Sequence, residues 1–239
     1  ALPPDADKLA SRLVKAQDLS VIAPPDALET WLWAQKAANP QDIVFRAQTD
    51  QTEQRYVERL PTGFEPQKPH DVLIALHGHG SDRWQFIREA RDEWRGLRDV
   101  AGKHDLIFIS PDYRAKTSWM GPKAEADVLQ IITEAKKRHR VNRVFIAGGS
   151  MGGTSALIFA TLHSKLIAGV CALNTTANLV EYAGFKEAID ISYGSPDERH
   201  KRSPELHAEQ LTMPVALTTG GKDSVVPPDS TLRLAKKLK

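Results

Sequence analysis

The stretch Val144-Phe145-Ile146-Ala147-Gly148-Gly149-Ser150-Met151-Gly152-Gly153 decides how this chain is read. An apolar run of strand type breaks into glycines around one serine. It resumes as Thr154-Ser155-Ala156-Leu157-Ile158-Phe159-Ala160, which reads as helix. A serine at such a strand-to-helix turn is lifted onto a sharp, strained corner, and each glycine has a steric reason to be there. A Cβ at Gly148 or Gly152 would crowd the neighbouring strand or helix, and glycine tolerates the backbone angles a tight turn demands.

Outward from this corner the chain alternates strand and helix patterns. Residues 42–48 and 54–60 alternate apolar and polar side chains, as strands with one wet face do, and are expected to form an antiparallel pair at the edge of a sheet. Continuously apolar runs follow at 72–76, 106–109, 143–147, 166–173 and 214–219, which suits strands covered on both faces. Helical periods lie between them: a stretch carrying Trp84, Phe86, Ile87 and Trp94, capped by Ser81 or Asp82, then 123–139, 151–163 and 228–238. This rhythm predicts βαβ crossovers and a mainly parallel sheet with helices on both faces. Residues 174–209 lose clear periodicity and read as an irregular insertion. Two helices, 5–19 and 26–38, precede the sheet, with Trp31 and Trp33 as anchors. The expected division is an N-terminal helical extension over 1–40 and one α/β domain over 41–239.

Composition removes several function classes. Hydrophobic residues are 41% and charged residues 26% of 239, ordinary for a folded domain. With 32 basic against 30 acidic side chains the charge is too balanced for a nucleic-acid surface. The short basic runs at 200–202 and 236–239 read as solvated surface. No apolar run approaches the ~20 residues that span a bilayer. Cys171 is the single cysteine, so no intrachain disulfide forms, and its apolar strand makes it a buried thiol. No H-E-x-x-H or C-x-x-C spacing suggests a metal, the GGSMGG run lacks the lysine of a phosphate-binding loop, and no cofactor is called for. Compartment stays open, with a weak preference for an exported protein because the chain begins at Ala1.

Three motifs stand at successive strand ends: LHGHGS at 76–81, GGSMGG at 148–153 and TTGGKDSVVPP at 218–228. Together, in this order, they resemble the α/β-hydrolase superfamily. Over residues 43 to 238 the chain is most similar to its serine esterases and to catalytic domains of the prolyl oligopeptidase and dienelactone hydrolase type. The resemblance implies a serine esterase in which Ser150 is the nucleophile. Backbone N–H groups of Met151, directly after the nucleophile, and of His79, directly after His77-Gly78, would hold the oxyanion. Asp223, in the pattern G-x-x-D-x-x-V-P, would orient a histidine. His77 is expected to brace its loop.

In this superfamily the histidine follows the acid. None follows Asp223 here, and all eight lie at or before His207. The sheet's last strand and helix are missing from the pattern as well. Two explanations stay open: the chain as given lacks a C-terminal segment, or the protein is a degenerate hydrolase. The first is preferred, because a sheet ending at 219 leaves an apolar edge uncovered. His200 or His207 as a substitute base has no motif behind it.

The loop holding Tyr113, Arg114, Trp119 and Met120 is expected on the rim of the site, with Tyr113 and Trp119 as substrate-binding residues, Trp119 lining an acyl or sugar pocket or else packing. The segment Arg202-Ser203-Pro204 also resembles prolyl oligopeptidase relatives. The expected partner is a small-molecule or carbohydrate-linked ester. A small peptidase, an acetyl or feruloyl carbohydrate esterase, and a non-catalytic binding module are the alternatives.

Overall fold

A computed structural model of the chain describes residues 40–239. The helices expected over 5–19 and 26–38, with Trp31 and Trp33, lie outside the described residues.

Seven strands form one sheet: β1 (Gln41–Arg46), β2 (Glu53–Arg59), β3 (His70–Leu76), β4 (Ile107–Pro111), β5 (Val141–Gly149), β6 (Gly169–Leu173) and β7 (Val215–Thr218). Their spatial order is β1-β2-β4-β3-β5-β6-β7. The wet-faced pair β1 and β2 lies antiparallel at one edge, and β2 also runs antiparallel to β4. The remaining pairings are parallel.

The continuously apolar strands are divided by their two-residue period. Val72, Ile74 and Leu76 of β3 join the larger core cluster, with Ile107 and Ile109 of β4 and residues of α3 (Pro122–Arg138) and α4 (Met151–Leu162). Leu73 and Ala75 face the other way, into a smaller cluster with Phe86 and Ala101. Those two residues belong to α1 (Gln85–Arg88) and α2 (Asp92–Lys103). Around β3 and β4 both faces of the sheet are thus covered, which is why these strands need no polar residues, whereas β7, expected to be covered as well, is only partly buried. The single helix expected after Ser81 is two, separated at Glu89–Arg91. Asp82 supplies the turn, its Oδ1 accepting the Trp84 N–H at 2.9 Å.

Helix α4 is buried from Met151 to Thr161. Apolar on all sides rather than on one stripe, it has to lie inside the core. The segment expected to be irregular contains α5 (Lys186–Tyr193), α6 (Pro196–Lys201) and a 3-10 segment (Pro204–Gln210). Helices of eight and six residues are too short to show a period. The last helix, α7 (Asp229–Lys237), returns Leu234 to the larger core.

Beside α2 the sheet keeps an apolar cleft of about 600 Å³, lined in part by Leu97, Val100, Phe145, Cys171 and Val215. Cys171 opens into it and is half-buried rather than enclosed, and that burial pushes its thiol pKa up. No helix among the described residues is long and apolar enough to cross a membrane.

This topology positions the site. From β3 the chain crosses to β4 on one side, then to β5 on the other, so the loops leaving β3 and β5 part and open a crevice at their carboxyl ends. In open α/β sheets that switch point is where ligands bind.

Candidate active site

Ser150 stands between β5 and α4 at φ 56° and ψ −123°. A side-chain-bearing residue held on the positive-φ side costs on the order of 1–3 kcal/mol and persists only where the surroundings over-determine it. They do. The Ser150 N–H donates to the Leu173 carbonyl at the end of β6 (2.8 Å), and its carbonyl accepts the Thr154 N–H of α4 (3.0 Å). A Cβ on Gly152 would sit 1.8 Å from the Leu76 carbonyl oxygen, and one on Gly148 2.5 Å from Gly152 backbone. The helix start is therefore pressed onto the end of β3, which only glycine allows.

Serine is a strong helix N-cap, yet the Ser150 hydroxyl does not cap α4. Ser150 as a whole is half-buried. Met151 opens α4, so its N–H falls outside the helical ladder, at the end where the helix dipole is positive.

Across the crevice, the loop after β3 is fixed residue by residue. The His77 ring is buried, with Nδ1 2.9 Å from the Gly78 carbonyl and Nε2 3.2 Å from that of Asp112, and burial lowers its pKa. Its own carbonyl accepts the Tyr113 hydroxyl at 2.7 Å. The Gly78 N–H donates to Gln85 Oε1 (2.8 Å) and the Gly80 N–H to the Lys116 carbonyl (2.7 Å). Between them, the His79 N–H has no partner among the described residues. Gln85 had no signal in the sequence, since its side chain acts on a residue seven positions earlier through a turn that only the fold makes.

Asp223 follows β7. Its Oδ1 accepts the N–H groups of Val225 and Val226, both at 2.9 Å, which makes it a turn residue. Oδ2 has no hydrogen-bond partner among the described residues. Burial, with the Asp223 charge adding to it, pushes the Tyr182 hydroxyl up to about 12. No described histidine is hydrogen-bonded to Ser150 or Asp223. His200 and His207 meet edge to face with ring centroids 5.3 Å apart, while His139 and His163 bind Glu58 and Glu125.

Tyr113 and Trp119 were expected at the rim, and the structure corrects this. Both rings are buried. The Tyr113 hydroxyl is taken by His77, and the Trp119 indole N–H reaches His79 Nδ1 at 3.1 Å. Both residues also have positive φ, 32° and 48°. The carbonyls of residues 118–120 are gripped from the 186–202 segment: Ser118 by the Ser192 hydroxyl, Trp119 by the Tyr193 hydroxyl (2.9 Å), and Met120 by Arg202 Nη1 (2.9 Å). Arg202 is itself buried between Glu125 (2.6 Å) and Glu198 (2.7 Å).

Residues 113–239, more than half of the chain, match the model of the prolyl oligopeptidase family. The chain belongs to that family. It is thus a member of a serine-hydrolase family with the α/β-hydrolase fold. Over 124 residues it is 24% identical to feruloyl esterase C of Emericella nidulans; that alignment covers 50% of this chain and 45% of the relative, so the chain spans less than half of the curated relative it matches. Among solved structures it resembles the fluorophosphonate-binding serine hydrolase F of Staphylococcus aureus (TM-score 0.67, 21% identity, 84% of this chain and 86% of that one). It also resembles the S-formylglutathione hydrolase of the same organism (0.61, 22%, 84% and 85%). The acylaminoacyl peptidase of Pyrococcus horikoshii aligns as well (0.64, 16%), over 87% of this chain and 36% of that one. At these identities the likeness is one of fold.

Proposed function

We propose that the protein hydrolyses carboxylic esters through an acyl-enzyme on Ser150. The observation that carries this reading is the positive-φ serine whose hydroxyl leaves its helix uncapped, across from a loop in which, among the described residues, the His79 N–H is the one of three successive N–H groups without a partner. Ser150 Oγ attacks the ester carbonyl and gives its proton to a base. As the Oγ–C bond forms, charge gathers on the carbonyl oxygen, and the N–H groups of His79 and Met151 receive it. Each such donor contributes about 3–4 kcal/mol to lowering the barrier. The C–O bond to the alcohol breaks, the alcohol leaves with the proton, and water reverses the sequence to free the acid.

Asp223 orients the base in this proposal. Its Oδ1 is engaged by the turn, and Oδ2 is the atom that accepts from an imidazole. No described histidine occupies that position, so the base is the part of the mechanism that the described residues do not supply.

A fluorophosphonate probe tests the nucleophile: the folded protein is labelled, and Ser150→Ala is not. Hydrolysis of short-chain p-nitrophenyl esters follows the same pattern. A folded protein that takes no label overturns the reading and leaves a hydrolase fold used as a binding module. A second reading, removal of acyl groups from polysaccharide, is favoured by the similarity to a feruloyl esterase and is separated by a substrate panel.

A further inference from the structure

The side chain of His79 is unused by the mechanism above, yet it is more constrained than a backbone donor requires. Its Nδ1 accepts the Trp119 indole N–H at 3.1 Å. Indole only donates, so Nδ1 holds a lone pair and the neutral ring carries its proton on Nε2. Burial lowers the pKa of His79, which favours that neutral ring.

Phe185 lies against it, ring centroids 4.3 Å apart and 40° between planes, and also 5.3 Å from the Trp119 ring. Tyr182 backs Trp119 from 5.7 Å. Phe185 is 37% exposed and sits at φ 50°, a conformation unfavourable for a bulky side chain. Strain of this kind is retained where surrounding structure enforces it and clusters at ligand sites. Here the enforcement is visible: the Phe185 carbonyl begins α5 by accepting the Ile189 N–H, and the Trp119 beneath it is held by the grip on residues 118–120.

From this geometry we infer that the half-open ring of Phe185, stacked on His79, is an aromatic shelf that selects esters carrying a planar aromatic ring, with Trp119 as the positioning residue beneath it. The inference rests on the reading of His79 as an oxyanion donor: a carbonyl bound at the His79 N–H has its substituents within reach of the same residue's ring. Offset and edge-to-face aromatic pairs contribute about 0.5–1.5 kcal/mol beyond the area they bury.

The test compares kcat/KM for size-matched pairs. Methyl cinnamate against methyl 3-cyclohexylpropanoate places the ring on the acyl side, and benzyl acetate against cyclohexylmethyl acetate places it on the alcohol side. One pair shows an aromatic preference in the wild type. Phe185→Leu reduces that preference by about 2- to 12-fold, the same energies expressed as rates, and Phe185→Tyr retains it. Trp119→Phe keeps a ring but loses the N–H; it also reduces the preference, and the ¹⁵N spectrum of His79 changes from one Nε2–H tautomer to a mixture. Hydrolysis without aromatic preference, or a preference indifferent to Phe185→Leu, overturns the shelf while the serine reading stands. Absence of hydrolysis with Phe185-dependent binding of methyl cinnamate to Ser150→Ala, read by tryptophan fluorescence, overturns the serine reading and keeps the shelf. Absence of both overturns the two together.

Discussion

Replacing Arg202 by methionine removes a guanidinium that is fully buried and bonded to Glu125, Glu198 and the Met120 carbonyl. Methionine fills much of the same volume but leaves two carboxylates facing an apolar side chain. Breaking a buried pair from one side costs about 3–5 kcal/mol. His163 and Arg202 overcome the burial of Glu125 and hold its carboxyl at about 2, against an ordinary 4.5. That depression corresponds to about 3 kcal/mol at most. The carboxylate is 16% exposed and therefore partly screened, which leaves roughly half of that, shared with His163. Glu198 and the orphaned Met120 carbonyl account for the remainder.

The pH dependence has a definite sign. A carboxyl whose folded pKa lies below its unfolded value stabilises fully above about 4.5 and loses that contribution as pH falls toward about 2. Urea unfolding followed by tryptophan fluorescence should therefore show Arg202→Met less stable by about 3 kcal/mol or more at pH 7, with the gap narrowing by pH 3. Adding Glu125→Gln to the variant should cost little further, because the two sites share one interaction. A deficit under about 1 kcal/mol at pH 7, or a gap independent of pH, would refute the reasoning.

Three further substitutions probe the serine corner and the acid after β7. Ser150→Gly abolishes fluorophosphonate labelling yet raises the unfolding free energy by about 1 kcal/mol, because glycine relieves the positive-φ strain at a smaller entropic cost; calorimetry reads this directly. Asp223→Asn keeps an acceptor for Val225 and Val226, so the melting temperature changes little, while esterase activity in kcat falls on the order of 10⁴-fold because the amide no longer fixes the tautomer of the base and its imidazolium. Gly152→Ala places a methyl group 1.8 Å from the Leu76 carbonyl with backbone on both sides, and should give no soluble folded protein or one destabilised by more than about 3 kcal/mol, measured by urea unfolding.

Strand and helix positions, the antiparallel edge pair and the serine corner were legible because each depends on local chemistry. Alternation marks a strand with one wet face, an unbroken apolar run marks one covered twice, and glycines around a serine mark a turn that no side chain can enter. The same locality explains the errors. Tyr113 and Trp119 were placed on the rim from loop position alone, but both rings are buried, the Tyr113 hydroxyl on the His77 carbonyl and the Trp119 indole N–H on His79, with the Trp119 carbonyl held by Tyr193. The short helices α5 and α6 carry too few residues for a period to appear.

At the serine corner, then, the sequence determined that Ser150 sits on a strained turn and that Gly148 and Gly152 are needed there. Only the tertiary structure decided which N–H groups remain available around it. That depended on Gln85 and Lys116 taking the neighbours of His79, and on Phe185 lying over the His79 ring. Those contacts join residues up to 106 positions apart, a separation over which no local pattern carries information and only packing can select a partner.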